Sequence, residues 1–297
     1  MSLDSTAMKK AQYIFATGSV VTLLHGAGPG VQSQVDKARE KTTQDRFGVV
    51  QLYPTIDGGR EWFASWESKR TVSPYTFDKQ EPLMRNEDGV LKIDSGIAAV
   101  RAGMTRLVIT TPKDSEGRIT APLWRNVEMT IYARYGATKG ELDYRALYLS
   151  ARSGEQHNDK VPCEGTSYHA TARFDGQFGF KKELWHTGGY TKLRSAAASK
   201  LWPTIPKDRW IGLKFVCRNR DKDSRVDLSL YLDQTANNDW KLVAHTIDEG
   251  DWSGESAGCG RPINAVIAEA GPAVYFRTDD VDVELKKFSV REISPLP

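Results

Sequence analysis

Chemistry-bearing side chains are densest between His157 and Tyr190, in HNDKVPCEGTSYHATARFDGQFGFKKELWHTGGY. This stretch holds three of the chain's five histidines (His157, His169, His186), with Cys163, Glu164, Arg173, Glu183 and Tyr190. Gly188 and Gly189 stand between His186 and Tyr190, and glycines let backbone pass close to a ligand. An imidazole near a phenol suits proton transfer, with the imidazole as base and the phenol as acid or base. Arg173, Arg125 or Lys181 would neutralise a uronate carboxylate and so ease removal of the adjacent C5 proton. Glu164 or Glu183 would orient these groups. Such a set meets the needs of a polysaccharide lyase, which can work without metal. The competing account makes His186 and Tyr190 turn residues that satisfy backbone groups, with Arg173 paired to Glu164.

Other motifs carry less. VVTLLHGAGPG and Gly254-Glu255-Ser256-Ala257-Gly258 imitate the oxyanion turn and nucleophile elbow of an α/β-hydrolase, but no histidine follows Ser256 and its surroundings read as a loop. Asp280, Asp282 and Glu284 alternate along one strand as a retaining glucanase would place its two carboxyls, about 5 Å apart. A solvated outer face is the favoured account, because Val281, Val283 and Leu285 form the apolar alternation and no aromatics neighbour the carboxylates in sequence. A structural calcium on these oxygens is compatible with the sequence but not required by it. His157, Cys163 and His169 lack the paired spacing of a zinc site. No glycine-rich phosphate loop opens a helix, so no cofactor is expected.

The elements that must hold these residues are strands. Val127, Met129, Ile131 and Ala133 alternate with Glu128, Thr130, Tyr132 and Arg134, which predicts a half-buried strand. Val226, Leu228, Leu230 and Leu232 form another apolar set, as do Ile211, Leu213, Phe215 and Cys217. Turn signals such as IDGG, NEDG and TPKDSEGR separate them, and long helical periods are absent after residue 45. FGVVQLYPT is expected to be the first strand of a domain covering residues 46–297. That length is large for an immunoglobulin-like fold and comfortable for a jelly roll. Residues 1–45 read as an extension, a short apolar segment and then a partly helical or loose linker, through which chains could self-associate.

The 297 residues carry 41 basic and 38 acidic side chains, a net charge of +3 that gives little steering field, so nucleic acid is not the expected partner. No apolar run reaches the roughly 20 residues of a membrane span. MSLDSTAMKK lacks the order of a secretory signal. The location is therefore extracellular if a leader has been removed and otherwise intracellular. Three cysteines allow one bridge and one thiol, or three thiols. Cys163 and Cys259 sit in glycine-rich turns where a bridge is easily placed, and Cys217 sits in the apolar phase of a strand.

YFRTDDVDVELKKFSVREI resembles the closing strands of concanavalin A-like lectin/glucanase domains. WIGLKFVCRN and VDLSLYLD are similar to adjacent strands of the concave sheet in that superfamily. YPTIDGGREWF, CEGTSYH and KELWHTGGYT resemble a microbial branch of it. The resemblance covers residues 46–297 and implies an all-β jelly-roll β-sandwich of two antiparallel sheets that presents a concave face to a polysaccharide. It does not fix the chemistry. The E-x-D-x-E strand of laminarinase-like enzymes is missing from the central strands. The R-x-E, Q-I-H and Y-x-K-x-G-x-Y marks of alginate-lyase sandwiches are only echoed, by Arg125 with Glu128, by Glu155 to His157, and by HTGGYTK.

The expectation is a glycan-degrading enzyme, with β-elimination ahead of hydrolysis. His186, Tyr190, Arg173, Glu183 and Glu164 would act, and Arg125, Glu128, His157, Tyr168, His169, Trp185, Trp210 and Lys214 would touch the polymer. A non-catalytic carbohydrate-binding or adhesion module, with Trp185, Tyr190 and Trp210 as stacking platforms, is the alternative. A structural assembly protein is the third.

Overall fold

Among the described residues fourteen strands are formed, and the long ones follow runs of alternating or continuous apolar residues. The computed structural model describes residues 43–138, 146–154, 160–186, 188–194 and 205–297. The expected extension up to Thr42, its VVTLLHGAGPG segment, Glu155 and His157 lie outside the described residues. Short strands come first: Glu61–Phe63 (β1), Arg70–Val72 (β2), Thr76–Phe77 (β3), Met84–Asn86 (β4) and Leu91–Asp94 (β5). Longer ones follow: Ile97–Thr110 (β6), Val127–Thr138 (β7), Ala146–Ser153 (β8), Ser167–Arg173 (β9) and Phe178–Glu183 (β10). Ile211–Arg220 (β11), Arg225–Asp233 (β12), Lys241–Asp248 (β13) and Ala273–Glu292 (β14) complete the set. Among the described residues every strand pairing is antiparallel. The architecture is the all-β jelly-roll sandwich expected from the sequence.

The twenty-residue β14 joins the two layers. Its first part pairs with β8 on one edge and β6 on the other, and its later part pairs with β7 and then β1. Register shifts fall between Thr278 and Val281 and between Lys286 and Ser289, where Asp280 and Lys287 take positive φ of 53° and 52°. Such bulges bend a strand, which lets β14 serve both layers. The first layer runs β10-β9-β8-β14-β6-β4-β3, and the second runs β13-β12-β11-β7-β14. Their inner faces share one apolar core: Ala170, Ala172, Phe178, Phe180 and Leu149 on one side, and Met129, Ile131, Leu213, Phe215 and Leu230 on the other. The rings of Phe180 and Phe215 meet across the sandwich at 6.1 Å.

Two local expectations are corrected. FGVVQLYPT makes only isolated bridges, Gln44 with Val50 and Thr55 with Ile293. It crosses the outer face of the second layer instead, where the backbone N–H groups of Leu52 and Tyr53 donate to the Glu128 carboxylate at 3.2 and 3.0 Å. For the same reason β7 is not half-buried. Glu128, Thr130 and Tyr132 on its polar face are as inaccessible as Met129 and Ile131 on its apolar face. The residue pattern shows which face of β7 is apolar, but not that another segment covers the polar one.

Candidate functional site

The outer face of the first layer carries the group of side chains expected to do chemistry. β9 sends His169, Thr171 and Arg173 to this face because Tyr168, Ala170 and Ala172 occupy the core face. Strand pairing then aligns Lys181 and Ser150 with His169, and Tyr148 with Thr171. From β14, Tyr275 pairs with Ser150 and Arg277 with Tyr148.

Glu183 ends β10 with its side chain only 1% exposed. One carboxylate oxygen lies 2.8 Å from His186 Nδ1, and the other lies 3.3 Å from His169 Nε2. Ser167 donates toward it at 3.4 Å. Tyr190 Oη is 2.9 Å from His186 Nδ1. His169 Nδ1 reaches Ser150 Oγ at 2.7 Å and Tyr275 Oη at 3.3 Å. Burial and the Glu183 carboxylate push the Tyr190 phenol well above its ordinary value. The same two causes push Tyr275 up to about 12. Both phenols are therefore donors at neutral pH.

The turn that carries His186 is clamped from two sides. The His186 N–H donates to Pro162 O at 2.9 Å, and a Cβ at Gly165 would stand 2.5 Å from that of His186, so only glycine fits there. On the other side Glu255 N–H donates to Tyr190 O at 2.9 Å, and Ser256 Oγ donates to Gly188 O at 2.8 Å. Ser256, the serine of the elbow-like motif, is thus a strap on this turn. The Cys163–Cys259 disulfide joins the two covering segments, with Cα atoms 5.3 Å apart, while Cys217 is a buried thiol.

No protein-family profile matches the chain, and no curated protein matches it in sequence. Among solved structures it is similar to the exoplasmic/lumenal domain of VIP36 in a Ca2+-bound form, at 10% identity and a TM-score of 0.40, over 75% of this chain and 90% of that one. It is also similar to the Emp47p carbohydrate recognition domain, at 8% identity and a TM-score of 0.38, over 78% and 97%. Arcelin-5, a lectin-like defence protein from Phaseolus vulgaris, aligns at 8% identity and a TM-score of 0.39, over 75% and 97%. These are concanavalin A-like jelly-roll folds. At such identity the likeness is one of strand arrangement.

The remaining expected residues separate. Arg173 pairs with Asp175 at 2.9 Å, not with Glu164, whose side chain is exposed on the Pro162–Glu164 turn. Tyr168 points into the core, where its hydroxyl donates to Asp248 at 2.5 Å, so it cannot touch a polymer. Trp185 is wedged among turn glycines, since a Cβ at Gly188, Gly189 or Gly258 would come within 2.6 Å of it. Its ring is therefore packed against this turn and only partly exposed.

Glu128, Lys214 and Trp210 lie on the outer face of the second layer, away from His186. Glu128 and Lys214 form a buried pair at 2.8 Å, and Arg291 joins them. Lys286 Nζ and the Arg134 guanidinium stand 4.2 and 4.9 Å from the Trp210 ring. Arg125 is exposed, pairs with Asp223 at 3.2 Å and lines a separate cleft of about 470 Å³ with Gly58, Gly59 and Glu292.

Glu284 is held between Arg134 and Arg101. Its partial burial opposes ionisation, but the two guanidiniums outweigh it and keep the carboxyl below its usual range, which makes it a poor acid for a glucanase. Among the described residues no group of three or more His, Cys, Asp or Glu side chains is placed to hold a metal, and no helix is long and apolar enough to cross a membrane. Tyr148, Ser150, Tyr275, Arg277 and Arg106 were missed from the sequence. Their signal is the polar phase of ALYLSARS and AVYFRTDD, with Arg106 coming from β6.

Proposed function

We propose that the outer face of the first layer binds an extended acidic glycan. Lys181 carries this reading. It is half-buried beside Arg173 and forms no ion pair among the described residues. Burial first, and then Arg173, push its ammonium below the ordinary lysine value, against a weaker pull from Glu255. A ligand carboxylate seated there would relieve both costs. Tyr148, Arg173 and Arg277 stand half-buried on neighbouring strands and supply a ring face and paired N–H donors, which suit the hydroxyls and carboxylates of a sugar chain. The disulfide fits an oxidising compartment, which favours an extracellular or lumenal location.

A second reading, eliminative cleavage, is favoured by the contact of His186 with both Glu183 and Tyr190. With its Nδ1 proton donated to Glu183, His186 has Nε2 as the basic nitrogen. That atom would take the C5 proton of a uronate as the bond to the 4-linked oxygen breaks. Tyr190, with its phenol pushed up, would donate a proton to the departing oxygen and would not serve as the base.

Affinity electrophoresis over acidic and neutral polysaccharides tests the first reading. Retardation by acidic polymers that Lys181→Ala abolishes is expected, and retardation by neutral polymers alone would overturn it. Absorbance of unsaturated uronates, read with reducing ends in the same samples, tests the second. Its appearance in the wild type and loss in His186→Ala would establish cleavage. Binding without either signal leaves a binding module.

A further inference from the structure

Two consecutive lysines of β14 face the same way, which a regular strand does not allow. Successive strand residues point to opposite sides, yet Leu285 and Phe288 both lie in the core. Lys286 pairs with Tyr132 and Ser289 with Thr130, so β14 holds one residue more than β7 over this interval. Lys287, at a φ of 52°, takes up the excess, and a bulge of this kind re-aims a side chain. Lys286 Nζ and Lys287 Nζ consequently stand 6.0 and 5.7 Å from the centre of the Tyr132 ring, on the outer face of the second layer.

A bend alone does not call for lysine there. At the other bulge of β14 the left-handed position is Asp280, whose short polar side chain tolerates it. Lysine lacks that tolerance, so its backbone is strained, and glycine would bend the strand without strain. What Lys287 adds is a second positive charge beside the first. Strain of this sort collects where a site needs a particular side chain.

The protein does not offset the two charges. Neither Lys286 nor Lys287 forms an ion pair among the described residues, and Glu284, two positions before Lys286, is taken by Arg134 and Arg101. Burial first, and then Lys287 and Arg134, push the Lys286 ammonium below the ordinary lysine value. Trp210 is partly exposed and stands against this group, its ring centre 4.2 Å from Lys286 Nζ and 4.9 Å from the Arg134 guanidinium. Arg134 gives Nε and one Nη nitrogen to Glu284, which leaves its other Nη nitrogen for a further acceptor.

We infer that Lys286, Lys287 and Arg134 form a site for a phosphate monoester carried on a small ring such as a sugar, with the ring against Trp210. Two unpaired ammonium groups match the charge of about −1.5 to −2 on such an ester at pH 7, and its three oxygens match three donor side chains. A carboxylate or a sulfate ester brings a single charge and leaves one ammonium unmatched. The site therefore stands apart from the acidic-glycan face of the first layer, and neither depends on the other. It binds only; the side chains placed for proton transfer are those around Glu183.

Calorimetric titration of the full chain with a hexose 6-phosphate, the matching 6-sulfate, the free hexose and inorganic phosphate tests this. One hexose phosphate per protein is expected, with the sulfate and inorganic phosphate several-fold weaker and the free hexose silent. Affinity should fall as the pH is lowered through about 6, where the ester loses its second charge. Lys286→Ala should weaken binding about tenfold, the effect of losing one charge-assisted hydrogen bond, whereas Lys92→Ala, an exposed lysine on β5, should change nothing. Lys287→Gly should weaken binding several-fold and leave the denaturation midpoint unchanged or higher. A lower midpoint with binding intact would make Lys287 a structural residue and overturn the argument. Equal affinity for phosphate and sulfate esters, unaltered binding in Lys286→Ala, or no binding of any phosphate would also overturn the site. Inorganic phosphate binding as tightly as the ester would overturn the part given to Trp210, and a phosphoserine peptide binding more tightly would overturn the small-molecule assignment. Retention on acidic polysaccharides is read separately, so either site can fail without the other.

Discussion

Lys182 offers the sharpest test of how the site is held. It lies on the core side of β10, next in sequence to Lys181, and its side chain is 0% exposed, as is that of Asp248. Lys182 Nζ donates to Asp248 Oδ2 at 2.8 Å and to Ala265 O at 2.6 Å, and the same Asp248 oxygen accepts the Tyr168 hydroxyl. Lys182→Met keeps most of the stem and removes the charge, leaving a buried carboxylate with Tyr168 and the Gly250 N–H as its remaining donors. Removing one partner of a buried pair costs about 3–5 kcal/mol. That is a large share of the roughly 5–15 kcal/mol that holds a domain together. At about 2–4 °C per kcal/mol for a domain of this size, the melting temperature should fall by about 6–20 °C.

Guanidinium denaturation of wild type, Lys182→Met, Asp248→Asn and the double variant gives the coupling directly. The double variant should be more stable than the sum of the single losses predicts, because neither uncompensated charge remains. A loss below about 1 kcal/mol in Lys182→Met, or additive losses, would refute the argument that this pair is held by burial and mutual charge. The effect should also reach the ligand. Asp248 opens the loop whose Glu255 and Ser256 hold Tyr190 and Gly188, so Lys182→Met should weaken glycan retention without touching the glycan.

Two further outcomes follow from the same structure. The Cys163–Cys259 bridge spans 96 residues, so Cys163→Ser with Cys259→Ser should cost about 5 kcal/mol in a chain-entropy account, read as a lower denaturation midpoint, and should reduce glycan affinity by loosening the His186 turn. Glu81 has its carboxyl pushed up to about 7, by burial first and by Asp78, against the Ser65 N–H and Arg70. A carboxyl raised on folding gives a stability contribution that is fully present below its unfolded value and is lost as pH rises through the folded value. The wild type should therefore lose stability between about pH 4.5 and 7, and Glu81→Gln should remove that part of the slope in denaturation curves taken across this range.

Much of the sandwich was legible because its core strands alternate without interruption. Val127 to Ala133 and Val226 to Leu232 fall inward as their spacing requires. The bridge between Cys163 and Cys259 and the contact between His186 and Tyr190 were also open to local reasoning, since each depends on turns whose glycines are visible in the sequence. Tyr168 and His169 could not both face a ligand, because neighbours on a strand point to opposite sides, and the core took the tyrosine. Glu128 and Lys214 show a different limit. Their polar phase was read correctly, yet residues 52 and 53, some 75 positions earlier than Glu128, cover them. The alignment of Lys181, His169, Ser150 and Tyr275 was hidden because its register depends on which distant strands become neighbours, and no local period encodes that.

The two outer faces show why the first layer is the better place to look for function. Each has a buried carboxylate. Glu128 is met by Lys214, Arg291 and two backbone N–H groups. Two ion pairs and two amides that belong to a crossing segment take up its oxygens, so the arrangement fixes a strap. Glu183 instead touches two imidazoles and the hydroxyl of Ser167, with a phenol beside the nearer imidazole. An imidazole carries one nitrogen that can donate and one that can accept, so this carboxylate sits among groups that can pass a proton. If the first layer only grips its polymer, replacing His186 with Gln should leave retention intact. If it also cleaves, that change should abolish the unsaturated product while the polymer stays bound.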